Sequence, residues 1–165
     1  MALQYLRMEK ITSDLVFARY DLDALIRQAV RKYAPLFIRR KIILSYEPVY
    51  CEVLTDEKWL VFVLEQILSN ALKYTKSGSI HIYLSPDAPK TLVIEDTGIG
   101  IAPEDLPRIF EKGYTGCNGR ADKRSTGIGL YLCRQIMEKL SHTIRIKSEM
   151  GVGTKVYLGL DTVSL

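Results

Sequence analysis

The sequence predicts an α+β fold, in which helices cover one face of a mixed, mainly antiparallel sheet to form a two-layer α/β sandwich. Three observations lead to this prediction. Predicted strands come in consecutive pairs, three segments with helical spacing of apolar residues separate or flank those pairs, and one long stretch has no periodic pattern. The length of 165 residues suits one domain with a sizeable core.

The first half of the chain is expected to hold two full helices and two strands. Residues 3–19 have scattered apolar positions typical of a partial helix, and Asp21 resembles the cap of the next helix. That helix is expected to end near Ala34-Pro35. The strongest helix has one broad apolar stripe from Leu60 to Leu72. In order, the predicted elements are helix 22–34, strands 41–46 and 51–54, and helix 56–75.

The second half is expected to hold four strands and one helix. A turn composition at 85–89 joins the first two strands. Residues 96–126 lack a long periodic segment, and a loop of this length inside a compact domain indicates a lid or binding loop. The predicted elements are strands 79–85 and 90–95, the long loop, helix 128–140, and strands 142–149 and 153–160.

The composition excludes several classes of protein. Hydrophobic residues make up 47% and charged residues 25%, which are globular values. The net charge of +4 is mild, and no basic run with interleaved aromatics predicts a nucleic-acid partner. The three cysteines have no zinc-site spacing. No apolar run approaches the roughly 20 residues of a membrane span, so we expect a soluble piece of protein.

One face of the predicted helix 56–75 has polar side chains beside its apolar stripe. Gln66, Asn70 and Lys73 fall together there at about 100° per residue. A carboxamide oxygen suits magnesium, and a lysine one turn away offers a compact charge to phosphates. Taken alone, the face is more often a solvated helix edge.

Two glycine-rich segments are candidate ligand sites. Asp96-Thr97-Gly98-Ile99-Gly100-Ile101 follows a strand, and its carboxylate can accept a hydrogen bond from an exocyclic amine such as that of adenine. A tight turn explains this segment equally well. Ser125-Thr126-Gly127-Ile128-Gly129-Leu130 precedes a helix, whose N-terminal N–H groups can bind phosphate, although helix capping is the alternative. Gly151-Val152-Gly153-Thr154 alone indicates an ordinary hairpin turn.

Catalysis by a histidine of this chain is not indicated. His81 lies in a predicted strand and His142 at a helix-to-strand junction, and neither has a nucleophile or base motif beside it. Both histidines are therefore expected to be structural.

The ordered set of motifs resembles the ATP-binding domain shared by DNA gyrase, the Hsp90 chaperones, sensor histidine kinases and the MutL mismatch-repair protein. The resemblance covers about residues 22–160. The run 66–75 is similar to the histidine-kinase N box, 96–101 to the G1 box, 107–113 to the F box, 127–130 to the G2 box and 151–154 to the terminal glycine box.

The resemblance implies a role for each matching residue toward ATP and Mg²⁺. Asn70 is expected to ligate Mg²⁺, Lys73 to contact the phosphates and Tyr74 to line the site. Asp96 is expected to accept from the adenine amine, with Gly98, Gly100 and Ile101 closing against the ring. The remaining expected nucleotide contacts are Gly127, Gly129 and Leu130 of the G2 box, Thr154, Phe110 and Thr126 at the ends of the lid, and the basic lid residues Lys112, Arg120, Lys123 and Arg124.

Two departures from the family pattern refine the expected function. The ATPase branches place a water-activating glutamate four residues before the asparagine, whereas this chain has Gln66. A glutamine is a poor general base, so slow hydrolysis and phosphoryl transfer to a side chain are expected. No phosphoacceptor histidine precedes residue 22. Residues 1–20 are therefore interpreted as the remnant of a dimerisation helix and linker, and 21–165 as the catalytic domain.

The segments 55–60, 104–110 and 113–120 are similar to intramembrane-sensing kinases of Gram-positive bacteria, which work beside ABC transporters that resist antimicrobial peptides. The expected partners are the missing dimerisation and phosphoacceptor domain, a response regulator and an ABC transporter permease. The parent protein is expected to be a homodimer in the bacterial cell membrane with this domain in the cytoplasm. Two alternatives stay open, namely a serine kinase such as an anti-sigma factor, and a binding module without activity.

Overall fold

The computed structural model describes residues 15–111 and 129–161, and it confirms the α+β sandwich. Within those ranges, three α-helices pack on one face of a five-stranded sheet, and a short two-stranded sheet lies beside them. The elements are β1 (Ala18–Asp21), α1 (Leu22–Arg40), β2 (Ile43–Tyr46), β3 (Glu52–Thr55), α2 (Glu57–Tyr74), β4 (Ser79–Leu84), β5 (Thr91–Asp96), a 3₁₀ turn (Leu106–Arg108), α3 (Gly129–Lys139), β6 (Thr143–Glu149) and β7 (Gly153–Gly159).

The main sheet has the order β2-β4-β5-β7-β6 and is mixed, as predicted. The pairs β4–β5 and β6–β7 are antiparallel hairpins, whereas β2 lies parallel to β4. A hairpin of β2 with β3 was also expected, and that expectation is wrong, because β3 pairs with β1 instead. Asp23 holds the turn between β2 and β3 by accepting from the Tyr46 hydroxyl and from the Val49 amide at 3.0 Å. The turn therefore leads the chain away from the main sheet.

Helix α1 does not end at Ala34-Pro35 as expected but continues to Arg40. A proline inside a helix removes one backbone donor. Phe37, two residues further on, is 5% exposed in the core, and its burial offsets that loss. The helix ends at Lys41 in the left-handed conformation, where its amide donates to the Ile38 carbonyl at 3.2 Å.

The chain enters the domain as a strand. Ala18–Asp21 forms β1 and pairs antiparallel with β3, whereas a partial helix was expected over 3–19; residues 3–14 lie outside the described ranges. The Val16 amide donates to Asp56 Oδ2 at 2.7 Å, while Asp56 Oδ1 caps α2 by accepting from Trp59 at 3.0 Å. One buried carboxylate thus joins the entering chain to the start of α2.

The core lies between the helices and one face of the main sheet. The apolar stripe predicted for α2 is buried, and Phe37 and Leu25 of α1 pack in the same cluster. Because strand side chains alternate between faces, every second residue of each strand contributes to this layer. The largest contributions from the sheet are Ile80, Ile82, Leu92, Ile94, Val156 and Leu158. None of the described helices is both long and apolar enough to cross a membrane.

Candidate functional site

A polar row closes one end of the helix-facing sheet surface. Asp96 is paired with Ile80 on one side and Thr154 on the other, and Thr154 is paired with Ser148. Since directly paired residues point to the same face, Asp96, Thr154 and Ser148 project toward the helix layer. The inward-facing apolar residues of these strands end next to this row, so the sheet presents polar groups at its boundary with α2.

Asp96 is 9% exposed and its carboxylate is held in one orientation. Its Oδ1 accepts from the amides of Gly98 at 2.9 Å and Thr154 at 3.3 Å. No donor of the described residues bonds to Oδ2. Burial raises the pKa of Asp96 above its usual value, whereas the two amide hydrogen bonds act in the opposite direction. Asp96 therefore presents one oriented, unpaired acceptor oxygen.

The loop after Asp96 is tied on both sides. The Ile99 amide donates to the Tyr74 carbonyl at 3.1 Å, at the end of α2. On the opposite side the Gly151 amide donates to the Ile99 carbonyl at 2.9 Å, and the Ile101 amide donates to Ser148 Oγ at 2.7 Å. The loop thus bridges α2 and the β6–β7 hairpin, which fixes the backbone around Asp96.

The glycines of this loop make close backbone packing possible. A Cβ at Gly98 would collide with the Tyr74 carbonyl oxygen. Gly100 has a φ of +78°, and a Cβ there would collide with the Glu149 carbonyl oxygen. The resemblance implies that Gly98 and Gly100 let the loop close against the adenine ring, which stays a prediction. In the structure both glycines bring the loop close to other segments of the protein.

The polar face of α2 lies beside this end of the sheet. Gln66, Asn70 and Lys73 are all half-buried on the continuous helix, as their spacing predicted. Asn70 forms no hydrogen bond with any described residue. Lys73 Nζ lies 5.4 Å from the centre of the Tyr74 ring, and the Tyr74 ring is itself half-buried. The face presents a carboxamide and an ammonium to the same side of the helix.

The start of α3 meets the same face. Gly129 is the first residue of α3, and a Cβ there would lie 3.1 Å from Gln66 Oε1. Leu130 follows and is half-buried. The N-box and G2-box segments therefore touch through Gln66 and Gly129. The other predicted residues of this region, Lys112, Arg120, Lys123, Arg124, Thr126 and Gly127, lie outside the described residues.

Residues 102–111 form hydrogen-bonded turns, whereas their aperiodic sequence predicted a loop without regular structure. The amides of Asp105 and Leu106 both donate to the Ala102 carbonyl, and the 3₁₀ turn follows. Phe110 is half-buried, with the guanidinium carbon of Arg134 5.2 Å from its ring centre. Phe110 thus lies against α3, next to the segment that carries Gly129.

Two residues that the sequence analysis missed support the site. Ser148 joins the loop to Thr154, with 2.7 Å between their hydroxyl oxygens. Its inward position could have been found from the alternation of Ile144 and Ile146 along the strand. Arg40 donates to the carbonyls of Leu72 and Thr75 at the end of α2, the latter at 2.8 Å. No local pattern marks Arg40, because its partners lie more than 30 residues away.

The available polar groups fit an adenine nucleotide and a magnesium ion. Oδ2 of Asp96 is an acceptor suited to an exocyclic amine. In the described part of the chain no three His, Cys, Asp or Glu side chains cluster as metal ligands. The carboxamide oxygen of Asn70 is one hard ligand, which suits an ion that completes its shell with phosphate oxygens and water.

Comparison with known proteins agrees with this arrangement. The family of histidine kinase-, DNA gyrase B- and HSP90-like ATPases matches residues 55–164. The sensor protein BceS of Halalkalibacterium halodurans is 37% identical over 149 residues, which are 90% of this chain and 45% of that protein. The sensor histidine kinase YxdK of Bacillus subtilis is 35% identical over 156 residues, which are 91% and 47%. The chain spans a little under half the length of these relatives.

Solved structures confirm the fold. Full-length ShkA in complex with AMPPNP superposes with a TM-score of 0.79 at 22% identity, covering 99% of this chain and 35% of that one. The chain therefore belongs to the family of histidine kinase-, DNA gyrase B- and HSP90-like ATPases, and it is an ATP-binding domain of the histidine-kinase type.

Proposed function

We propose that this domain transfers the γ-phosphoryl group of Mg-ATP to a histidine on a dimerisation domain outside this chain, for onward transfer to a response regulator. The observation that carries the proposal is the oriented carboxylate of Asp96, whose Oδ2 is an unpaired acceptor beside the polar face of α2. An acceptor fixed by two backbone amides selects an amine before any ligand arrives, because it needs no reorganisation.

The binding of base and phosphates is divided between two elements. Asp96 and the tied loop 97–101 hold the adenine, with Ile101 against the ring and Thr154 beside the carboxylate. Asn70 holds Mg²⁺ and Lys73 contacts the phosphates, with Tyr74 lining the site between them. The metal, when bound, neutralises phosphate charge during transfer. Gly129 brings the N-terminus of α3, with its positive dipole end, to the same phosphates.

Gln66 accounts for the choice of acceptor. Its carboxamide lies against Gly129, where the hydrolysing relatives of the family place a glutamate. A carboxamide cannot remove a proton from water, so water is a poor nucleophile in this site. The γ-phosphoryl group therefore passes to an incoming side chain, and this chain contributes positioning and charge.

The proposal extends to the whole protein through the relatives. Proteins named as a sensor protein and a sensor histidine kinase match nine-tenths of the chain. We therefore place this domain, residues 21–165, on the cytoplasmic side of a membrane-anchored homodimeric sensor, following the end of a dimerisation helix. Its partners are the phosphoacceptor domain, a response regulator and an ABC transporter permease that handles antimicrobial peptides.

Labelling in trans tests the reaction. The chain is incubated with γ-labelled Mg-ATP and a separate histidine-bearing helical dimerisation domain. We expect label on the helical domain that is lost in acid and kept in alkali. Acid-stable label would instead indicate a serine kinase, and failure of millimolar Mg-ATP to raise the melting temperature of the chain would indicate a module that has lost its nucleotide.

A matched variant tests the role of Gln66. Gln66→Glu supplies the missing general base, and we expect release of free phosphate to rise at least about 10-fold while label on the helical domain falls. Glu65→Gln, a change of the neighbouring residue that points elsewhere on α2, serves as the control. Equal phosphate release by the wild type and by Gln66→Glu contradicts the proposed role.

A further inference from the structure

The hydroxyl of Ser148 makes three contacts with two segments, the loop after Asp96 and the start of β7. It accepts from the Ile101 amide at 2.7 Å, it donates to the Gly153 carbonyl at 3.0 Å, and it lies 2.7 Å from the Thr154 hydroxyl. Ser148 is half-buried in the polar row that contains Asp96. A single side chain therefore links the loop after Asp96 to the first two residues of β7, Gly153 and Thr154.

Proton counting assigns a direction to the hydrogen bond between the Ser148 and Thr154 hydroxyl groups. A serine hydroxyl has one proton, and Ser148 uses it toward the Gly153 carbonyl. A distance of 2.7 Å between two oxygens requires a proton between them. With the serine proton assigned to Gly153, the proton between the two hydroxyls is assigned to Thr154, whose hydroxyl then points toward Ser148. The lone pairs of Thr154 Oγ1 are then left for the side of the row where Asp96 lies.

We infer that Ser148 is a positioning residue that makes the site selective for 6-amino purines over 6-oxo purines, an inference that rests on the proposed nucleotide site. Asp96 Oδ2 and Thr154 Oγ1 both present acceptors to the group at position 6 of the base. The amine of adenine donates to acceptors, whereas the 6-oxo group of hypoxanthine or guanine is itself an acceptor and is repelled. Discrimination thus depends on an unfavourable contact with the wrong base as well as a favourable one with adenine.

Removal of Ser148 releases this constraint. Without the serine oxygen, the Thr154 hydroxyl loses the acceptor for its proton and becomes free to rotate. It then donates to a 6-oxo group as readily as it accepts from an amine. Ser148 touches no part of the base in this scheme and acts through Thr154.

The test compares Mg-ATP and Mg-ITP binding to the 165-residue chain by calorimetry. For Ser148→Ala we expect the ratio of ITP to ATP dissociation constants to fall by about 3- to 10-fold, the effect of one neutral hydrogen bond. Ser148→Thr keeps the hydroxyl and restores the ratio. Ser45→Ala, on the opposite sheet face, leaves the ratio unchanged.

A second variant makes the test independent of how well Ser148→Ala folds. Thr154→Val removes the acceptor itself, and we expect the same fall in the ratio. The double variant should then fall no further than Thr154→Val alone, because Ser148 acts through Thr154. Additive losses in the double variant would overturn the inference.

The outcomes also separate this inference from the proposed function. If Ser148→Ala weakens ATP and ITP binding equally, Ser148 has only a structural role and the inference is overturned. ATP binding by the wild type would still support the proposed nucleotide site in that case. A wild-type chain that binds neither nucleotide would instead overturn the proposed function.

Discussion

The two ends of the proposed nucleotide site are built differently. The adenine end consists of Asp96, the loop 97–101, Ser148 and Thr154, and each part is held by hydrogen bonds from another segment. The phosphate end consists of Gln66, Asn70, Lys73 and Tyr74 on α2 with Gly129 of α3. Its side chains are half-buried, and Asn70 has no hydrogen-bond partner in the described ranges.

In the proposed site, this difference assigns base recognition to one end and reactivity to the other. A rigid acceptor at the adenine end recognises the base at little entropic cost. Side chains at the phosphate end are proposed to contact ions and phosphates, whose positions change during transfer. Changes at the adenine end should therefore alter affinity and base choice, and changes at the phosphate end should alter rate.

The largest effect is expected at the phosphate end. Asn70→Asp puts a negative charge where we propose that a neutral carboxamide holds Mg²⁺ beside the phosphates, and we expect phosphoryl transfer to fall by about 10²- to 10³-fold, as when charge stabilisation at a reacting group is disturbed. The melting temperature without nucleotide should stay within a degree or two because Asn70 forms no hydrogen bond with any described residue and aspartate has nearly the same size. Measurement of labelled product against time checks the rate. Unchanged transfer would remove Asn70 from the site.

A smaller effect is expected for Asp96→Asn at the adenine end. The amide oxygen can still accept from Gly98 and Thr154, which turns the NH₂ group toward the base. We expect ATP affinity to fall by about 1–3 kcal/mol, with ITP affected less, as measured by calorimetry. Glu95→Gln, at the neighbouring residue on the other sheet face, is the control. If ATP binding is the same in Asp96→Asn, the division between the two ends is wrong.

Rigidity of the adenine end is tested by Gly98→Ala. The added Cβ meets the Tyr74 carbonyl, and overpacking of this kind costs about 1–3 kcal/mol of the free energy of unfolding. Gly151→Asn is the matched comparison, since Gly151 has open space and a φ of +79°, a conformation that asparagine tolerates. Denaturant unfolding should show loss only for Gly98→Ala. Equal stability of the two variants would mean that the loop is not tightly held.

The smallest effect concerns the scaffold outside both ends. His142 is 4% exposed, lies 2.9 Å from the Thr55 hydroxyl, and burial lowers its pKa from 6.5 to about 4. Between these values the unfolded chain binds a proton that the folded chain does not. The free energy of unfolding should therefore fall by about 1 kcal/mol from pH 7 to pH 5.5.

Two variants isolate the contribution of His142 to this pH dependence of the free energy of unfolding. His142→Gln should remove about 1 kcal/mol of the change measured by denaturant unfolding at the two pH values, whereas His81→Gln, on the exposed sheet face, should keep it. Between pH 7 and pH 5.5, nucleotide binding and phosphoryl transfer should decrease only as far as the folded fraction decreases. The same pH dependence in His142→Gln and the wild type would exclude His142 as the cause.

Much of the fold followed from local patterns. The apolar stripe of α2, the cap at Asp21 and the two later hairpins agree with prediction because each depends on neighbours within a few residues. The continuation of α1 through Pro35 did not follow, because burial of Phe37 outweighs a local helix-breaking signal. The parallel position of β2 also escaped prediction, since strand pairing across α2 leaves no local signature.

The sequence by itself determined the chemistry of the site: a carboxylate after a strand, a carboxamide and an ammonium on one helix face, and a glutamine in place of a base. These side-chain types can be read directly from the sequence. Only the tertiary structure decided which Asp96 oxygen is available, that Gly98 and Gly100 serve backbone packing, and that Ser148 orients Thr154. Each of these depends on distances between segments far apart in the chain, and folding alone sets those distances.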